Sequence, residues 1–302
     1  MSRLFEALQR SEGEGFSIEF PAPEPAASEL LKALPEAGSE QMPADTLQPF
    51  AAMVAEGPQA AVATQFVPLP LNVARESRLV SLTDKESLPA EKFRFLGVRL
   101  RQLRQTRPLK KLLITSTVPE EGKSLVSANI AVTLARKKPQ SVLLLEGDLR
   151  RPVLAREFGV SAPTGLSEWL RSQPTQLPVI YNLEEAGLCF LPAGSPPDNP
   201  LELMQSGRLS ELFESLTASF DWIVIDSPPI LPLGDTSVWT RLAEGVMLVV
   251  REGVTQREQL KRGLEALDQS KLLGTVLNDC SSVDRDHYYQ RYGPAAQPQG
   301  AA

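Results

Sequence analysis

An apolar strand candidate, the loop TVPEEGKS and a helical stretch follow one another between residues 112 and 136, and this order restricts the possible folds more than any other feature. The loop ends in Gly122, Lys123 and Ser124. In such a loop the backbone N–H groups and the helix N-terminus point into one concavity that binds phosphate oxygens. Glycine lets the backbone approach closely, lysine reaches the β- and γ-phosphates, and the serine hydroxyl binds magnesium. The motif therefore predicts a site for ATP and Mg²⁺.

The other residues of the loop are also candidates for nucleotide contact, because the whole turn surrounds the phosphates. They are Thr117, Pro119, Glu120, Glu121 and, in the first turn of the helix, Leu125. Thr117 stands where the general pattern has glycine. The two glutamates place negative charge beside a triphosphate, so we expect their side chains to point to solvent.

Apolar runs and helical stretches alternate through the rest of the chain. The strand candidates are 112–116, 141–148, 188–194, 221–229, 244–253 and 272–279. The helix candidates are the stretch from the loop to Arg136, then 200–218, 235–243 and 255–270. This alternation predicts a P-loop Rossmann-like α/β fold, with a mostly parallel sheet and helices on both faces. Residues 153–187 fit poorly, and we expect an excursion there with a helix near 167–171.

Carboxylates follow two of the strand candidates. Asp226 ends the run WIVID and is placed to hold magnesium or its waters. Residues 146–151, EGDLRR, follow another strand. There Glu146 is a candidate proton acceptor, Asp148 a second magnesium residue, and Arg150 a group that offsets charge on a transferring phosphoryl group. The alternative is an ion-pair cluster that only closes a loop.

The charge imbalance lies in the N-terminal quarter. Residues 1–75 carry 4 Lys/Arg against 10 Asp/Glu, whereas the remaining residues carry 27 of each, giving a net charge of −6. Because it is rich in Pro, Ala and Glu, the segment 11–75 is predicted to be a disordered acidic linker. Residues 1–10 have three apolar residues on one helical face, which fits either a short docking helix or a frayed terminus.

A basic amphipathic helix is predicted in the region 76–107. Residues 91–111 hold eight Lys/Arg and one acid, with apolar residues at helical spacing. These are Phe93, Leu96, Leu100 and Leu103. The apolar stripe packs on the body of the protein, or the helix contacts anionic lipid or a partner subunit.

Composition argues against several classes of protein. The single histidine, His287, disfavours a His-ligated metal site and a Ser-His-Asp triad, and two cysteines form no disulfide framework. No apolar run reaches about 18 residues, the length of a membrane span. The first ten residues lack the apolar stretch of a secretory signal. We therefore expect a soluble cytoplasmic protein.

The last segment, 281–302, is predicted to be a flexible tail. Three of the four tyrosines, Tyr288, Tyr289 and Tyr292, lie in this otherwise polar segment. Phosphoacceptor sites explain aromatic residues there, while a small patch packed on the body, or no role at all, are the alternatives. The nine residues after Asp279 span up to about 30 Å, which allows a tyrosine to reach the phosphate loop.

Together these features resemble the bacterial tyrosine autokinases of exopolysaccharide and capsule synthesis. The resemblance covers about residues 88–293 and rests on TSTVPEEGKS, LLLEGDLRRP, LPAGSPPDNPLELMQS, FDWIVIDSPP and the tyrosine-bearing tail. It implies a kinase domain, residues 108–280, that transfers the γ-phosphoryl group of ATP to tyrosines of its own tail. It also implies a role in regulating polysaccharide polymerisation and export.

The resemblance assigns roles to individual residues. Lys123 and Ser124 match the Walker A positions and Asp226 the Walker B aspartate. Asp148 matches the second acid of the extra Walker A′ motif, and Asn278 matches a residue that contacts adenine in related ATPases.

Two departures from the family pattern stand out. Glu146 replaces an aspartate proposed as the catalytic base. In the ring-forming helix motif E-x-x-R-x-x-R, Glu91 and Arg94 match, but Gly97 replaces the second arginine, with Arg99 nearby.

The resemblance also concerns partners. It implies a separate membrane-embedded chain-length protein as activator, a homo-oligomer, recruitment to the inner face of the cell membrane, and no nucleic-acid partner. Two alternatives remain open at this point. One is a switch ATPase of the partition or septum-site type, and the other is a nucleotide-binding scaffold without useful catalysis.

Overall fold

A computed structural model describes residues 66–137, 140–162, 164–172, 177–231 and 234–280. Its strands are β1 Phe66–Pro68, β2 Lys111–Ser116, β3 Val142–Glu146, β4 Ile180–Leu183, β5 Leu188–Leu191, β6 Trp222–Asp226, β7 Gly245–Arg251 and β8 Leu272–Asn278. They form one sheet in the order β1-β4-β5-β3-β6-β2-β7-β8. Neighbouring strands are parallel except β4 and β5. The predicted mostly parallel sheet is confirmed, and all six strand candidates lie in it.

Helices connect these strands. They are α1 Val80–Thr83, α2 Leu88–Thr106, α3 Lys123–Ala135, α4 Leu154–Glu157, α5 Leu166–Arg171, α6 Pro200–Met204, α7 Arg208–Ser219, α8 Asp235–Leu242 and α9 Arg257–Glu265. Every residue of β3 and β6 is buried, as expected for central parallel strands covered on both faces. Within the described ranges, no helix is both long and apolar enough to cross a membrane.

Helix α2 is the predicted basic amphipathic helix, with different ends. It begins after Ser87, whose side chain caps it, and ends at Thr106. The predicted range 91–111 is therefore wrong in its last five residues. Pro108 disfavours the helical conformation in Arg107, which is extended. The apolar stripe packs on the core, although Leu103 stays 36% exposed.

The three positions of the ring-forming motif, 91, 94 and 97, all lie on α2, but their environments differ from one another. Glu91 and Arg94 form an exposed ion pair. Gly97 is buried where α2 crosses α3, and a Cβ atom there would lie 2.9 Å from Cγ2 of Thr133. The glycine thus serves close packing of two helices at the position where the family motif has an arginine.

The predicted disordered linker over 11–75 is wrong at its C-terminal end. Phe66–Pro68 forms the edge strand β1, parallel to β4, and the N–H of Leu69 donates to the carbonyl of Asn182 at 3.0 Å. Three exposed residues with a proline are too few to show the alternation that marks a strand in a sequence. Residues 1–65, including the possible docking helix 1–10, lie outside the described residues.

The excursion over 153–187 has more structure than predicted. Helix α5 confirms the expected helix, but β4 was not predicted; it pairs antiparallel with β5 across a turn at Gly187, where φ is +69°. The helix predicted over 200–218 is two helices, because Gly207 adopts φ +80° between them. The helix predicted over 255–270 is shorter and ends at Glu265.

Asn129 ties helix α3 to the segment that precedes α2. Its Oδ1 accepts from the N–H of Ser81 at 2.9 Å, and its Nδ2 donates to the carbonyls of Arg78 and Leu125 at 3.1 and 2.9 Å. The side chain is fully buried, so these backbone groups have no water to replace it.

Replacing this buried amide tests its contribution to stability. Asn129→Ala is expected to lower the free energy of unfolding by about 1–3 kcal/mol, because buried polar partners are left unsatisfied. Urea denaturation measures the change. The matched control is Asn199→Ala, since that asparagine is exposed and its side chain caps no helix; its effect should stay within about 0.5 kcal/mol. Equal losses in the two variants would contradict this account.

Candidate active site

The phosphate loop, residues 117–124, connects β2 to α3 in a strained turn. Gly122 has φ +89° and Glu120 has φ +66°. A Cβ atom on Gly122 would collide with Nδ2 of Asn278, which donates to the carbonyl of Glu121 at 2.9 Å. Only glycine combines this conformation with this approach. The side chain of Asn278, at the end of the last strand, therefore holds the loop.

Glu121 lies inside the loop and does not point to solvent. It is fully buried, its Oε2 accepts from the N–H of Val118 at 2.8 Å, and its Oε1 accepts from the hydroxyl of Thr255. The expectation that both loop glutamates face solvent is wrong for Glu121, because donors within the fold satisfy its carboxylate. Glu120 is exposed at the cavity described below.

Thr117 also faces the protein interior. It is fully buried, and its carbonyl accepts from the N–H of Leu231 at 3.1 Å. Its φ is not positive, so the position needs no glycine. The departure from the general loop pattern leaves the turn intact.

A cavity of about 900 Å³ lies over the loop. Among the predicted site residues, those that line it are Pro119, Glu120, Gly122, Lys123, Ser124, Leu125, Asp148 and Arg150. Those that do not line it are Thr117, Glu121, Glu146, Asp226 and Asn278. Lining residues that the sequence did not single out are Glu76, Ser77, Arg78, Arg151, Val153, Arg156, Glu157 and Pro229. Arg151 at least belongs to the GDLRRP run, whereas residues 76–78 lie in no motif.

Lys123 and Asp148 bring two of the sequence motifs together. Nζ of Lys123 lies 3.2 Å from Oδ2 of Asp148, and both side chains are largely buried. Oδ1 of Asp148 accepts from the N–H of Arg151 at 3.0 Å. A lysine and a carboxylate thus face each other on the wall of the cavity.

Asp226 lies beneath this pair, at the end of β6. It is fully buried, and its Oδ1 accepts from the hydroxyl of Ser127 at 3.2 Å. Its Oδ2 is buried with no hydrogen-bond partner among the described residues. Burial raises the pKa of Asp226 to about 6, although Lys123 draws it down. A buried carboxylate oxygen without a partner, beside the hydroxyl of Ser124, suits magnesium or its waters.

No larger cluster of metal ligands accompanies these two residues. Across the part of the chain that the structure covers, no three His, Cys, Asp or Glu side chains gather as a metal site. The donor set at the loop is one carboxylate and one hydroxyl, which fits an ion that keeps several waters and also binds substrate phosphates.

Glu146 is placed differently from the predicted proton acceptor. It is 1% exposed; its Oε1 accepts from the N–H groups of Val153 and Leu154, both at 2.6 Å, and its Oε2 accepts from that of Ala193 at 3.1 Å. Burial raises its pKa to about 7 against the opposing effect of these N–H groups. The carboxylate is occupied by backbone donors and does not line the cavity, so its placement differs from the one expected for a residue that takes a proton from a substrate hydroxyl.

Helix α8 holds the segment that follows β3. Nε and Nη2 of Arg150 donate to Asp235 at 2.6 and 3.1 Å, and Asp235 is only 2% exposed. This carboxylate raises the pKa of Arg150. Nε1 of Trp239 donates to the carbonyl of Gly147 at 3.1 Å. Neither Asp235 nor Trp239 lies in a recognisable motif, so the sequence alone does not indicate these two contacts.

The predicted phosphoacceptors, Tyr288, Tyr289 and Tyr292, lie outside the described residues. The last described turn follows β8, where Arg251 and Asp279 form an ion pair with an N–O distance of 2.6 Å.

The two relatives compared with this chain are both named as tyrosine-protein kinases. No protein-family model matches the chain. It is 32% identical over 220 residues to the tyrosine-protein kinase YwqD of Bacillus subtilis, covering 72% of this chain and 92% of that protein. It is 34% identical over 210 residues to the putative tyrosine-protein kinase CapB of Staphylococcus aureus, covering 69% and 92%.

Solved structures agree with these relatives. The chimerical protein CapA2B2 has a TM-score of 0.63 and 28% identity, covering 72% of this chain and 95% of that one. The kinase domain of the Escherichia coli tyrosine kinase ETK also has a TM-score of 0.63, with 25% identity over 74% and 93% of the two chains. In all four comparisons the similarity extends over more than nine-tenths of the matched chain, which for ETK is the kinase domain.

The buried carboxylate of Asp226 makes a prediction about stability. Its pKa is raised from 3.8 to about 6, so the folded state binds the proton more tightly than the unfolded state. The unfolding free energy therefore falls as pH rises between these values. Asp226→Asn removes this loss and is expected to be more stable than the parent at pH 8, by on the order of 3 kcal/mol. Denaturation from pH 4 to pH 8 measures the difference.

Asp221 provides a control, because its pKa is shifted in the opposite direction to that of Asp226. Hydrogen bonding to the backbone N–H of Ser141 holds the pKa of Asp221 below its usual value, so its ionised form stabilises the fold at neutral pH. Asp221→Asn should therefore be less stable than the parent at pH 8. A loss of stability in Asp226→Asn that is constant from pH 4 to pH 8 would refute the account of Asp226.

Proposed function

The chain belongs to the bacterial tyrosine-protein kinases, and from this premise we propose that it transfers the γ-phosphoryl group of ATP to tyrosines of its own C-terminal segment, Tyr288, Tyr289 and Tyr292. In this step the phenol oxygen forms a bond to the γ-phosphorus, the bond from that phosphorus to the β–γ bridging oxygen breaks, and ADP leaves.

The observation that carries the proposal is the pairing of Lys123 with Asp148, 3.2 Å apart on the wall of the cavity above the phosphate loop. When ATP enters, the phosphates compete with Asp148 for the ammonium group. Lys123 then binds the β- and γ-phosphates together with the N–H groups of the loop, and the carboxylate of Asp148 is released beside the γ-phosphate.

Asp148 is the group that we assign as acceptor of the phenol proton. Its carboxylate lines the cavity, whereas Glu146 is held by backbone donors outside it. Arg150 offsets charge on the transferring group: its Nε and Nη2 are bound to Asp235, which leaves Nη1 to donate. Because Asp235 is buried, the guanidinium is oriented before the substrate arrives.

The residues for magnesium are Ser124 and Asp226, with Asp148 on the facing wall. Magnesium held by these residues would supply positive charge to offset the charge of the phosphates. The buried Oδ2 of Asp226 supports this assignment, because no hydrogen bond of normal geometry from a described residue reaches it and the hydroxyl of Ser124 lies close enough to lower the pKa of this carboxyl. Glu121 and Asn278 act through the shape of the loop, since one side chain is packed inside it and the other binds its backbone.

The sheet order supports access of the tail to the cavity. Four strand spacings separate β8 from β3, which is about 19 Å at the usual spacing. The nine residues from Asp279 to Tyr288 span up to about 30 Å. A tail tyrosine can therefore reach the cavity of its own chain or that of a neighbouring copy.

The biological setting is the remaining part of the proposal. We assign the protein to exopolysaccharide or capsule synthesis, at the cytoplasmic face of the membrane beside a separate membrane-embedded chain-length protein that activates it. Homo-oligomers would let one copy phosphorylate the tail of another. Successive phosphorylation adds about −1.5 to −2 charges per tyrosine, which repels neighbouring copies.

Autophosphorylation is tested with two variants of the full chain. With magnesium and ATP, the parent should gain phosphate on the three tail tyrosines, as measured by mass spectrometry. Lys123→Met should reduce the rate by at least about 100-fold, because the phosphates lose their charge partner. The triple variant Tyr288→Phe, Tyr289→Phe, Tyr292→Phe should lose tail phosphate but retain ATP binding. Undiminished ATP hydrolysis with no phosphotyrosine in the parent, even beside its activator, would indicate a switch ATPase instead.

The choice between the two carboxylates after β3 is tested separately. Asp148→Asn should lower kcat by about 100-fold or more, since the proton acceptor is lost, and its rate is compared at a temperature at which melting curves show the variant folded. Glu146→Gln should lower the melting temperature, because the new amide faces the N–H of Ala193, with a smaller effect on kcat. A larger fall in kcat for Glu146→Gln than for Asp148→Asn would overturn the assignment.

A further inference from the structure

The cavity continues beyond the phosphate loop into a part that we call the outer cavity. It is lined by residues before α1 and around α4, namely Glu76, Ser77, Arg78, Arg151, Arg156 and Glu157. The whole cavity, about 900 Å³, is at the upper end of the range of about 300–1,000 Å³ for small-molecule sites. A nucleotide held by the loop therefore leaves room for part of a second substrate.

The outer cavity lies on one side of the loop. In the sheet, β3 and β8 flank β2 on opposite sides, so Asp148 and Asn278 approach the loop from opposite directions. The outer cavity adjoins the β3 side, through Arg151 and α4. A chain entering there shares the cavity wall with the carboxylate of Asp148.

Two arginines of the outer cavity are fixed through their backbone and have free side chains. The carbonyl of Arg78 accepts from Nδ2 of Asn129 at 3.1 Å, and the N–H of Arg151 donates to Asp148 at 3.0 Å. Both side chains are exposed, and neither guanidinium forms an ion pair with any residue that the structure describes. Two cationic donors therefore stand at the cavity wall, available to a ligand.

The other charged residues of the outer cavity do not neutralise the positive charges of Arg78 and Arg151. Nη2 of Arg156 lies 3.7 Å from Oε1 of Glu157, so that pair is neutral as a unit. Glu76 is the one further carboxylate that lines this part, and it is exposed. The outer cavity thus presents two unpaired arginines and one glutamate to an incoming chain, a surface suited to a segment of mixed charge with an excess of carboxylates facing it.

The sequence before the first tail tyrosine has this character. It is Asp284-Arg285-Asp286-His287-Tyr288. In an extended chain, side chains two residues apart point to the same side. If the segment binds in this extended form, the two aspartates and the tyrosine would share one face, about 6–7 Å apart in succession, and Arg285 would lie on the other. When the tyrosine enters the cavity, both carboxylates turn to the same wall.

We propose that Arg78 and Arg151 form a subsite for the acceptor segment and bind the carboxylates of Asp284 and Asp286, so that the kinase selects tyrosines with aspartates two and four residues before them. The inference rests on the proposed function and specifies its substrate class. Arginine binds carboxylates through charge-assisted, often bidentate hydrogen bonds. These contacts orient the phenol toward Asp148 and contribute to the rate through positioning.

Exchange of charges between the subsite and the tail tests this pairing in the full chain. One variant carries Arg78→Glu and Arg151→Glu, a second carries Asp284→Arg and Asp286→Arg, and a third carries all four changes. The initial rate of tail phosphorylation is measured at saturating magnesium and ATP. The first two variants should each be slower than the parent by about tenfold or more, and the third should recover to within about threefold.

Arg241→Glu is the matched control for added negative charge. Arg241 is exposed in the last turn of α8 and does not line the cavity. This variant should phosphorylate its tail at the rate of the parent. Melting curves of all variants show whether a low rate reflects unfolding, and recovery in the fourfold variant excludes that explanation.

Several outcomes would overturn the subsite. If the fourfold variant is no faster than the slower of the two double variants, the arginines and aspartates do not act as partners. If the arginine variant loses affinity for magnesium ADP in calorimetry and the altered tail fails to rescue it, the arginines serve the nucleotide. A parent that phosphorylates its tail but is insensitive to all four changes refutes this inference alone. A parent that never phosphorylates its tail refutes the proposed function instead.

Discussion

The site depends on carboxylates buried at the ends of two adjacent central strands. Glu146 and Asp226 lie directly opposite each other in the β3–β6 pairing, and Asp148 follows two residues later. All three are nearly excluded from water, where unpaired negative charge is costly. Lys123 is the ammonium group that faces this cluster and lowers the pKa of Asp226. Asp148 pairs with this ammonium group and backbone donors satisfy Glu146, so the oxygen left without a hydrogen-bond partner among the described residues is Oδ2 of Asp226.

Close backbone packing keeps these groups in place. The N–H of Gly147 donates to the carbonyl of Asp226 at 2.7 Å, and a Cβ atom on Gly147 would lie 2.9 Å from that oxygen and 2.7 Å from the ring of Trp239. A side chain at position 147 would push β3 away from β6 or from α8. Because Asp148 and Arg150 follow directly, the absence of a side chain at Gly147 determines how these two residues approach the phosphate loop.

The sequence predicted the central architecture because buried parallel strands are long apolar runs and the phosphate loop has a dense motif. The edge strand β1 and the short strand β4 were not predicted, because three or four residues are too few to show a clear periodicity. At the site, the motif residues Lys123 and Asp148 meet as expected. The inward orientation of Glu121 depends on Thr255, more than one hundred residues away, and no local pattern shows such a donor. The contact of Asp235 with Arg150 was not predicted for the same reason, because the two residues are distant in sequence.

Hydrogen-bond satisfaction separates two carboxylates that look alike in sequence. Glu146 and Asp226 both end apolar strands, both are buried, and burial raises the pKa of each. Glu146 accepts three backbone N–H groups and thereby joins β3 to the start of α4 and the end of β5. Asp226 keeps one oxygen without a partner among the described residues. A buried polar atom without a hydrogen-bond partner lowers the stability of the fold. Such an atom is retained where a bound ligand provides the missing partner. By this criterion the fold itself satisfies the carboxylate of Glu146, whereas that of Asp226 keeps an oxygen open to a ligand, a distinction that residue type and position within a motif do not make.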